Sequence, residues 1–187
     1  MPGSGKSLIV NYLKQKGWQV IHFGEITMHE LKTRGLHSNE TNEQIIREEL
    51  RKIHGMDAYA KLLQPEIKGA LSVGPTVIDG LYSWAEYKLL RQNFKNQMHI
   101  IAIFAPRHLR YERLSYRPVR PLSSEEAELR DFAEIENLEK GGPIAMADYT
   151  IINDGSEEDL FSVIDKLLAT FYSQDRETKK IMKKEVR

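Results

Sequence analysis

The chain has 187 residues, with 27 basic and 27 acidic side chains and no cysteine. This length suits one domain with a sizeable core, and the zero net charge gives no global signal for nucleic-acid binding. The lack of cysteine excludes disulfides and thiolate metal sites and fits a reducing compartment. No apolar run approaches membrane-spanning length, and no signal peptide is recognisable. We therefore expect a cytoplasmic protein without nucleic-acid or membrane partners, and the sequence gives no indication of oligomeric state.

The N-terminus carries most of a phosphate-binding loop. The Walker A pattern, G-x-x-x-x-G-K-[ST], lies between a buried strand and a helix, and here Gly5, Lys6 and Ser7 occupy its last three positions. Small residues allow backbone N–H groups to curl around a phosphate at the start of a helix. Lys6 would reach the β- and γ-phosphates of ATP, and the Ser7 hydroxyl would bind Mg²⁺. The residues predicted to hold the nucleotide phosphates are Gly3, Ser4, Gly5, Lys6 and Ser7.

The apolar pattern predicts helices that alternate with short strands. The predicted strands are 18–23, 76–78, 99–104 and 149–152. In the first half of the chain, helices are predicted from the loop to Gly17, over 24–34, from a capping box at Thr41 to Gly55, and over 57–71. In the second half, they are predicted from a capping box at Ser83 to 93, from 106 to before Pro118, over 125–140, and from a cap at Ser156 onwards. Gly141-Gly142-Pro143 is predicted to break the helix over 125–140. This alternation predicts an α/β fold with a parallel sheet covered on both faces, which binds ligands at the carboxyl ends of its strands.

Candidate site residues follow the predicted strands. Asp79 comes directly after Val77 and Ile78, so its carboxylate is expected beside the phosphate loop, where it can hold Mg²⁺ through water or orient an acceptor hydroxyl. A plain Asp79-Gly80 turn is the alternative. Glu25 follows the first strand and equally fits a helix-capping role.

Five arginines follow the third strand, and three of them share one helical face. They are Arg107, Arg110, Arg113, Arg117 and Arg120, with the second, third and fourth at i, i+3 and i+7. Guanidinium groups can clamp the negative charge of a transferring phosphoryl group. We expect at least two of the five to bind phosphate, although salt bridges to nearby acidic residues could neutralise some. The loop with Pro118 and Pro121 is a plausible lid.

A series of motifs resembles one kinase group. In chain order they are M-P-G-S-G-K-S, G-E-I-T-M-H-E-L-K-T-R-G-L, V-I-D-G, R-Y-E-R-L and A-D-Y-T-I-I-N-D-G, and they extend from Met1 to about Leu168. Their order, more than any single motif, resembles the small P-loop kinases of the nucleoside monophosphate kinase and dephospho-CoA kinase group. The chain is most similar to an uncharacterised, mainly archaeal family described as dephospho-CoA kinase-like or adenylate kinase-related.

This resemblance implies a three-layer α/β P-loop kinase fold with a five-stranded parallel sheet. It implies a kinase domain over 1–172, with a helical acceptor-binding insert at about 24–73 and a lid at about 113–127, followed by a charged extension over 173–187. ATP and Mg²⁺ are the implied cofactors, and a small molecule is the implied phosphoryl acceptor. The implied roles are catalysis for Lys6, Asp79, Arg113 and Arg117, metal binding for Ser7 and Asp79, acceptor binding for Gly24, Glu25 and Arg34, and a place near adenine for Asn153 and Gly155.

Three departures from the group bear on function. The first strand and first loop glycine would precede Met1, Glu25 stands where adenylate kinases have aspartate, and Leu81-Tyr82 replaces an aromatic-Pro-Arg run whose arginine holds the acceptor phosphate. A dephospho-CoA-like acceptor and a nucleotide acceptor both stay open. A nucleotide-binding regulatory module with little or no turnover is the alternative to a kinase.

The first departure also carries a structural expectation. A phosphate loop hangs from a strand that lies inside the sheet in this kinase group. Without that strand, two neighbouring strands would face a slot with unpaired backbone groups, each costing about 1–3 kcal/mol when water cannot reach it. We therefore expect a short apolar strand ending in glycine before Met1 in the natural protein.

Overall fold

Helices and short parallel strands alternate along the chain, as expected for an α/β fold. The computed structural model describes residues 1–118 and 121–185, without the side chains of 96 and 174–185. The strands are β1 (Gln19–His22), β2 (Thr76–Asp79), β3 (Ile101–Phe104) and β4 (Tyr149–Ile152). The helices are α1 (Lys6–Gln15), α2 (Gly24–Thr33), α3 (Glu40–His54), α4 (Ala58–Val73), α5 (Trp84–Phe94), α6 (Arg107–Tyr116), α7 (Ser124–Glu136), α8 (Gly141–Ala145) and α9 (Glu157–Glu185). Arg120, which lies in the predicted lid, falls outside the described residues.

The strands form two parallel pairs. β1 pairs with β2, and β3 pairs with β4. No backbone ladder joins β2 to β3 among the residues the structure describes, yet Val77 of β2 and Ile103 of β3 pack against the same apolar cluster. The α/β class and the parallel pairing are thus confirmed. The five-stranded sheet stays a prediction, because a strand linking the two pairs is not among the described residues.

Two apolar clusters hold the elements in place. The first packs the inner faces of α2, α3, α4 and α5 against β1, with Phe23 and Tyr59 at its centre. The second packs α1 against α9 and β4, through residues such as Leu13 and Ile164. Full burial of one large aliphatic side chain stabilises the fold by about 1.5–3 kcal/mol. The clusters therefore fix α1, and the loop before it, between the two strand pairs.

Local sequence signals set most helix ends. The capping box at Ser83 is confirmed, since the Ser83 hydroxyl accepts the Glu86 N–H at 3.0 Å and the Glu86 carboxylate accepts the Ser83 N–H at 2.9 Å. Ser156 caps α9 in the same way. The predicted box at Thr41 is wrong, because α3 begins earlier and the Asn39 side chain accepts the Asn42 N–H at 2.9 Å. Asparagine is at least as good an N-cap as threonine, so the earlier residue prevails.

The region after Glu136 also differs from its prediction. The helix predicted over 125–140 ends at Glu136, and Gly141-Gly142-Pro143 opens α8 instead of breaking a helix. Proline is tolerated in the first turn, where its missing N–H would have no intrahelical partner. Gly142 is required there, because a Cβ atom would lie 2.8 Å from the Trp84 ring.

The end of the chain is helical as predicted, since α9 continues to Glu185. Most side chains of the predicted charged extension over 173–187 are not described, and residues 186–187 lie outside the structure. Over the described ranges, no helix has the length and apolarity needed to cross a membrane.

Candidate functional site

The predicted phosphate loop forms a concave turn at the start of α1. Gly3 and Gly5 have φ angles of 74° and 96°, the left-handed region that glycine tolerates best. No side chain caps α1, whose N-cap is Gly5. Left-handed residues within such a loop aim backbone N–H groups toward one point, and a helix N-terminus adds positive potential. The start of α1 can therefore receive an anion.

Residues of α6 and of the segment after β4 hold the loop by hydrogen bonds. The Asn153 side chain, just after β4, donates to the Ser4 carbonyl at 2.9 Å, and Arg110 of α6 donates to the Pro2 carbonyl at 3.1 Å. A Cβ atom at Gly3 would lie 2.6 Å from the Arg110 carbonyl oxygen, and one at Gly5 would lie 2.2 Å from Asn153 Nδ2. Both glycines are thus fixed by conformation and by space.

Lys6 is half-buried within this turn. Its Nζ donates to the Met1 carbonyl at 3.1 Å. Burial and then the charge of Lys140 lower the pKa of Lys6 to about 8, against the opposing effects of Asp79 and Glu134. A bound phosphate would compensate this buried charge and restore the pKa.

The loop offers further groups that fit a polyphosphate. The Ser4 hydroxyl is buried and finds no hydrogen-bond partner within 1–118 and 121–185, whereas Ser7 is exposed in the first turn of α1. An unpaired buried hydroxyl costs free energy that a phosphate oxygen could recover. In the described part of the chain, no cluster of three or more acidic, His or Cys side chains is preformed for a metal. A metal held by Ser7 and Asp79 would thus need phosphate oxygens or water as further ligands.

Asp79 is the last residue of β2, at the carboxyl end of the strand. It lies opposite His22 in the register, with 3.5 Å between its Oδ2 and the His22 Nδ1. Its charge raises the pKa of Lys6, so the carboxylate interacts electrostatically with the loop lysine. Gly80 follows with a φ of 116°, and a Cβ there would lie 2.8 Å from the Tyr82 ring. Conformation and space therefore both favour glycine after Asp79.

The expectation that nearby acidic residues neutralise some of the arginines is confirmed behind the loop. Arg110 forms a two-pronged ion pair with Asp131 of α7, at 3.0 and 2.5 Å. One turn later, Glu134 pairs with Lys140, whose Nζ lies 5.1 Å from the centre of the Tyr82 ring. Burial raises the pKa of Glu134, but the positive charges of Lys140, Arg130 and the N-terminus together outweigh this effect and hold the pKa below its ordinary value. The Glu134–Lys140 pair was not predicted.

The predicted lid arginines occupy different environments. Arg113 donates from Nη1 to the Asn153 carbonyl at 3.1 Å, which ties α6 to the end of β4. Arg107 is exposed and contacts Glu128. Arg117 follows the last turn of α6. Arg110 is engaged by the loop and by Asp131. Phosphate binding by Arg113 and Arg117 stays a prediction.

The residues predicted for the acceptor are not all brought together. Gly24 begins α2 beside the carboxyl end of β1, and Glu25 is exposed in its first turn. Arg34 follows α2 at its other end, about 15 Å away by helix geometry. There it contacts Glu30 at 3.3 Å and Glu49 at 2.5 Å. The structure thus separates Arg34 from the other two.

Near the predicted adenine position, Asn153 is buried and serves the loop backbone. Gly155 precedes α9, and a Cβ there would lie 3.0 Å from Asp159 Oδ2. The hydrogen bond to the loop is therefore a reason for the identity of Asn153, independent of any base. Their contact with adenine stays a prediction.

The capping box at Ser83 was predicted, but the full burial of its Glu86 side chain was not. Glu86 is 0% exposed, and its Oε2 accepts the N–H groups of Tyr82 and Ser83, while Oε1 has no hydrogen-bond partner among the described residues. Burial raises the pKa of Glu86 to about 7, although these hydrogen bonds and the charge of Arg51 oppose the rise. The Arg51 guanidinium lies 5.1 Å from the centre of the Tyr59 ring. These residues lie far apart in sequence, and only the fold joins them.

Comparison with known proteins gives relatives of matching length. A UPF0200 protein of Thermococcus gammatolerans is 38% identical over 163 residues, which cover 85% of each chain. The UPF0200 protein TK1334 of Thermococcus kodakarensis is 35% identical over 178 residues, which cover 93% of this chain and 96% of the relative. No family model matches the chain.

A solved structure supports the fold. The crystal structure of TT1252 from Thermus thermophilus aligns with a TM-score of 0.58, covering 90% of this chain and 93% of that one at 20% identity. At that identity the likeness concerns the fold alone. The archaeal relatives show more, because their identity extends over most of both chains. The chain belongs to the UPF0200 family.

Proposed function

We propose that the protein is an ATP- and Mg²⁺-dependent phosphotransferase that acts on a small-molecule acceptor. The loop itself is the main support for this proposal. Gly3 and Gly5 adopt left-handed conformations just before α1, Lys6 is half-buried inside the turn, and the Asp79 charge acts on Lys6. The same groups that would bind a polyphosphate are the ones that stabilise charge during phosphoryl transfer.

In this reaction an acceptor oxygen attacks the γ-phosphorus, the bond to the β-phosphate bridging oxygen breaks, and ADP leaves. Lys6 and the loop N–H groups stabilise the charge on the phosphate oxygens. Asp79 orients the acceptor hydroxyl and accepts its proton. Bound Mg²⁺, held by Ser7 and Asp79, would supply further charge neutralisation. Arg113 and Arg117 would add positive charge from the lid side.

The test is transfer of labelled γ-phosphate from Mg·ATP to a panel of nucleoside monophosphates, nucleosides and dephospho-coenzyme A. The proposal expects a labelled product with at least one acceptor, and its loss in Asp79→Asn with nucleotide binding retained. Tight ATP binding without product across the panel would favour a nucleotide-binding regulatory module. Absence of ATP binding would exclude both functions.

A further inference from the structure

Arg51 is a half-buried cation on the acceptor side of the loop. Its guanidinium lies over Tyr59, whose hydroxyl is hydrogen-bonded to Thr27 at 2.6 Å. Within the described residues, Arg51 forms no ion pair and its buried Nε–H has no hydrogen-bond partner. Arg47, one turn earlier on the same helix, contacts Glu40 at 2.6 Å and Glu43 at 3.5 Å. The two arginines therefore differ in whether their charge is paired.

The surroundings of Arg51 place it near the candidate site. The Ser83 hydroxyl donates to the Met56 carbonyl at 2.7 Å, which ties the turn between α3 and α4 to the loop that follows Asp79. The Tyr59 ring also stacks on Phe23, the residue between β1 and α2, with centroids 6.3 Å apart. Arg51 is thus linked through the Tyr59 ring to Phe23, which directly follows β1, and it belongs to the helical region predicted to hold the acceptor.

Glu86 is the acidic group that interacts with Arg51. Its Oε1 is buried and unpartnered, so the pair leaves one donor and one oxygen unsatisfied in the same region. A buried polar group without a partner costs about 1–3 kcal/mol. Glu86 is also easily protonated, since its pKa is raised to about 7. When protonated, it does not repel an anion and can donate its O–H to one.

We propose that Arg51 binds a phosphate group carried by the phosphoryl acceptor, with the Glu86 carboxyl group completing the site. This inference rests on the proposed function. It assigns to a residue of α3 the task for which Leu81-Tyr82 offers no arginine. The planar guanidinium suits a tetrahedral oxyanion, because two N–H groups can donate to it in parallel. The acceptor class is thus phosphorylated molecules.

The test uses inorganic phosphate as the probe, titrated calorimetrically into the protein saturated with Mg·AMP-PNP. Arg51→Met should weaken phosphate binding at least tenfold, and Arg51→Lys should weaken it less. Arg47→Met is the matched control and should stay within twofold of the parent. Equal phosphate affinity in Arg51→Met and parent, or no phosphate binding by the parent, would overturn the inference.

Two further measurements distinguish failure of the Arg51 site from failure of the proposed function. If the parent fails to bind AMP-PNP, the proposed function fails, and phosphate is titrated instead into the Lys6→Ala protein, where binding at the loop is weakened. Dependence on Arg51 there would still support the anion site. A lower melting temperature in Arg51→Met with unchanged phosphate affinity would identify a purely structural arginine at the end of α3.

Discussion

Among single residues, Lys6 and Glu86 have strongly shifted pKa values. Lys6 is pushed toward its neutral form by burial and by Lys140, and Glu86 is pushed toward its neutral form by burial. Desolvation disfavours the charged form of both an amine and a carboxyl group, so the shifts have opposite signs. Each shift gives a pH dependence that can be measured.

The first concerns nucleotide binding. The charged form of Lys6 binds phosphate, and its pKa near 8 in the free protein rises when an anion is bound. The affinity for AMP-PNP should therefore be steady from pH 7 to about 8 and fall above it, by at most about tenfold per pH unit. Calorimetry over pH 7–9.5 measures this, with Lys6→Arg as a control whose charge does not titrate. A profile as flat for the parent as for the control would contradict the shifted pKa.

The second concerns stability. The pKa of Glu86 rises from 4.5 to about 7 on folding, so the folded state binds more protons between these values. The free energy of unfolding should consequently fall as pH increases from about 4.5 to 7, by up to about 1.4 kcal/mol per pH unit, and level off above 7. Glu86→Gln should remove much of this slope in urea unfolding. An identical slope in the variant would show that other groups cause it.

Among the helices and strands, those whose signals lie in adjacent residues were predicted from the sequence. The strand at 149–152 and the box at Ser83 were found because apolar alternation and capping are local signals. The start of α3 and the course of the chain after Glu136 were missed. They depend on a choice between two good caps and on the packing of Gly142 against Trp84. The loop was recognised by its motif. The hydrogen bonds that Asn153 and Arg110 donate to it could not be predicted, because they join residues distant in sequence.

The conformation of Gly5 in the phosphate loop can be tested by mutation. Gly5→Ala should destabilise the protein by at least about 1–2 kcal/mol, because alanine is strained at a φ of 96°. The added methyl group would also displace Asn153 and lower AMP-PNP affinity. Gly69→Ala is the control, since it lies within α4 with nothing within 4 Å of a Cβ, and it should stabilise by about 0.5–1 kcal/mol. Equal stability and affinity of Gly5→Ala and parent would refute this account of the loop.

At the scale of the whole molecule, the loop lies where two halves meet. Asn153 attaches it to the β3–β4 half, and the charge of Lys6 couples it to Asp79 in the β1–β2 half. Neither pair is joined to the other by a backbone ladder within the described ranges. Motif order predicted that these parts belong to one site. The contact of Arg51 with Tyr59 on the acceptor side could not be predicted from the sequence. It depends on how separate helices pack in the fold.

An added strand should fit between β2 and β3, which no backbone ladder joins within the described ranges. A run of about six alternating Val and Ile residues followed by glycine, joined directly to Met1, should pair with β2 and β3 and bury its side chains on the shared cluster. Each fully buried side chain is worth about 1.5–3 kcal/mol, so the melting temperature should rise by at least about 4 °C. Calorimetry compares this variant with one of equal length that carries proline in the middle of the run. Equal melting temperatures would show that the gap is closed to a strand.

Residues 3–7 should bind the phosphates of ATP, and a single titration can test this claim. Isothermal calorimetry with Mg·AMP-PNP should show binding by the parent and an affinity about 10–100-fold lower in Lys6→Ala, the loss expected for one charge-assisted hydrogen bond. Adenosine, which lacks phosphates, should bind the two proteins equally. Equal AMP-PNP affinities, or no binding by the parent, would contradict the claim.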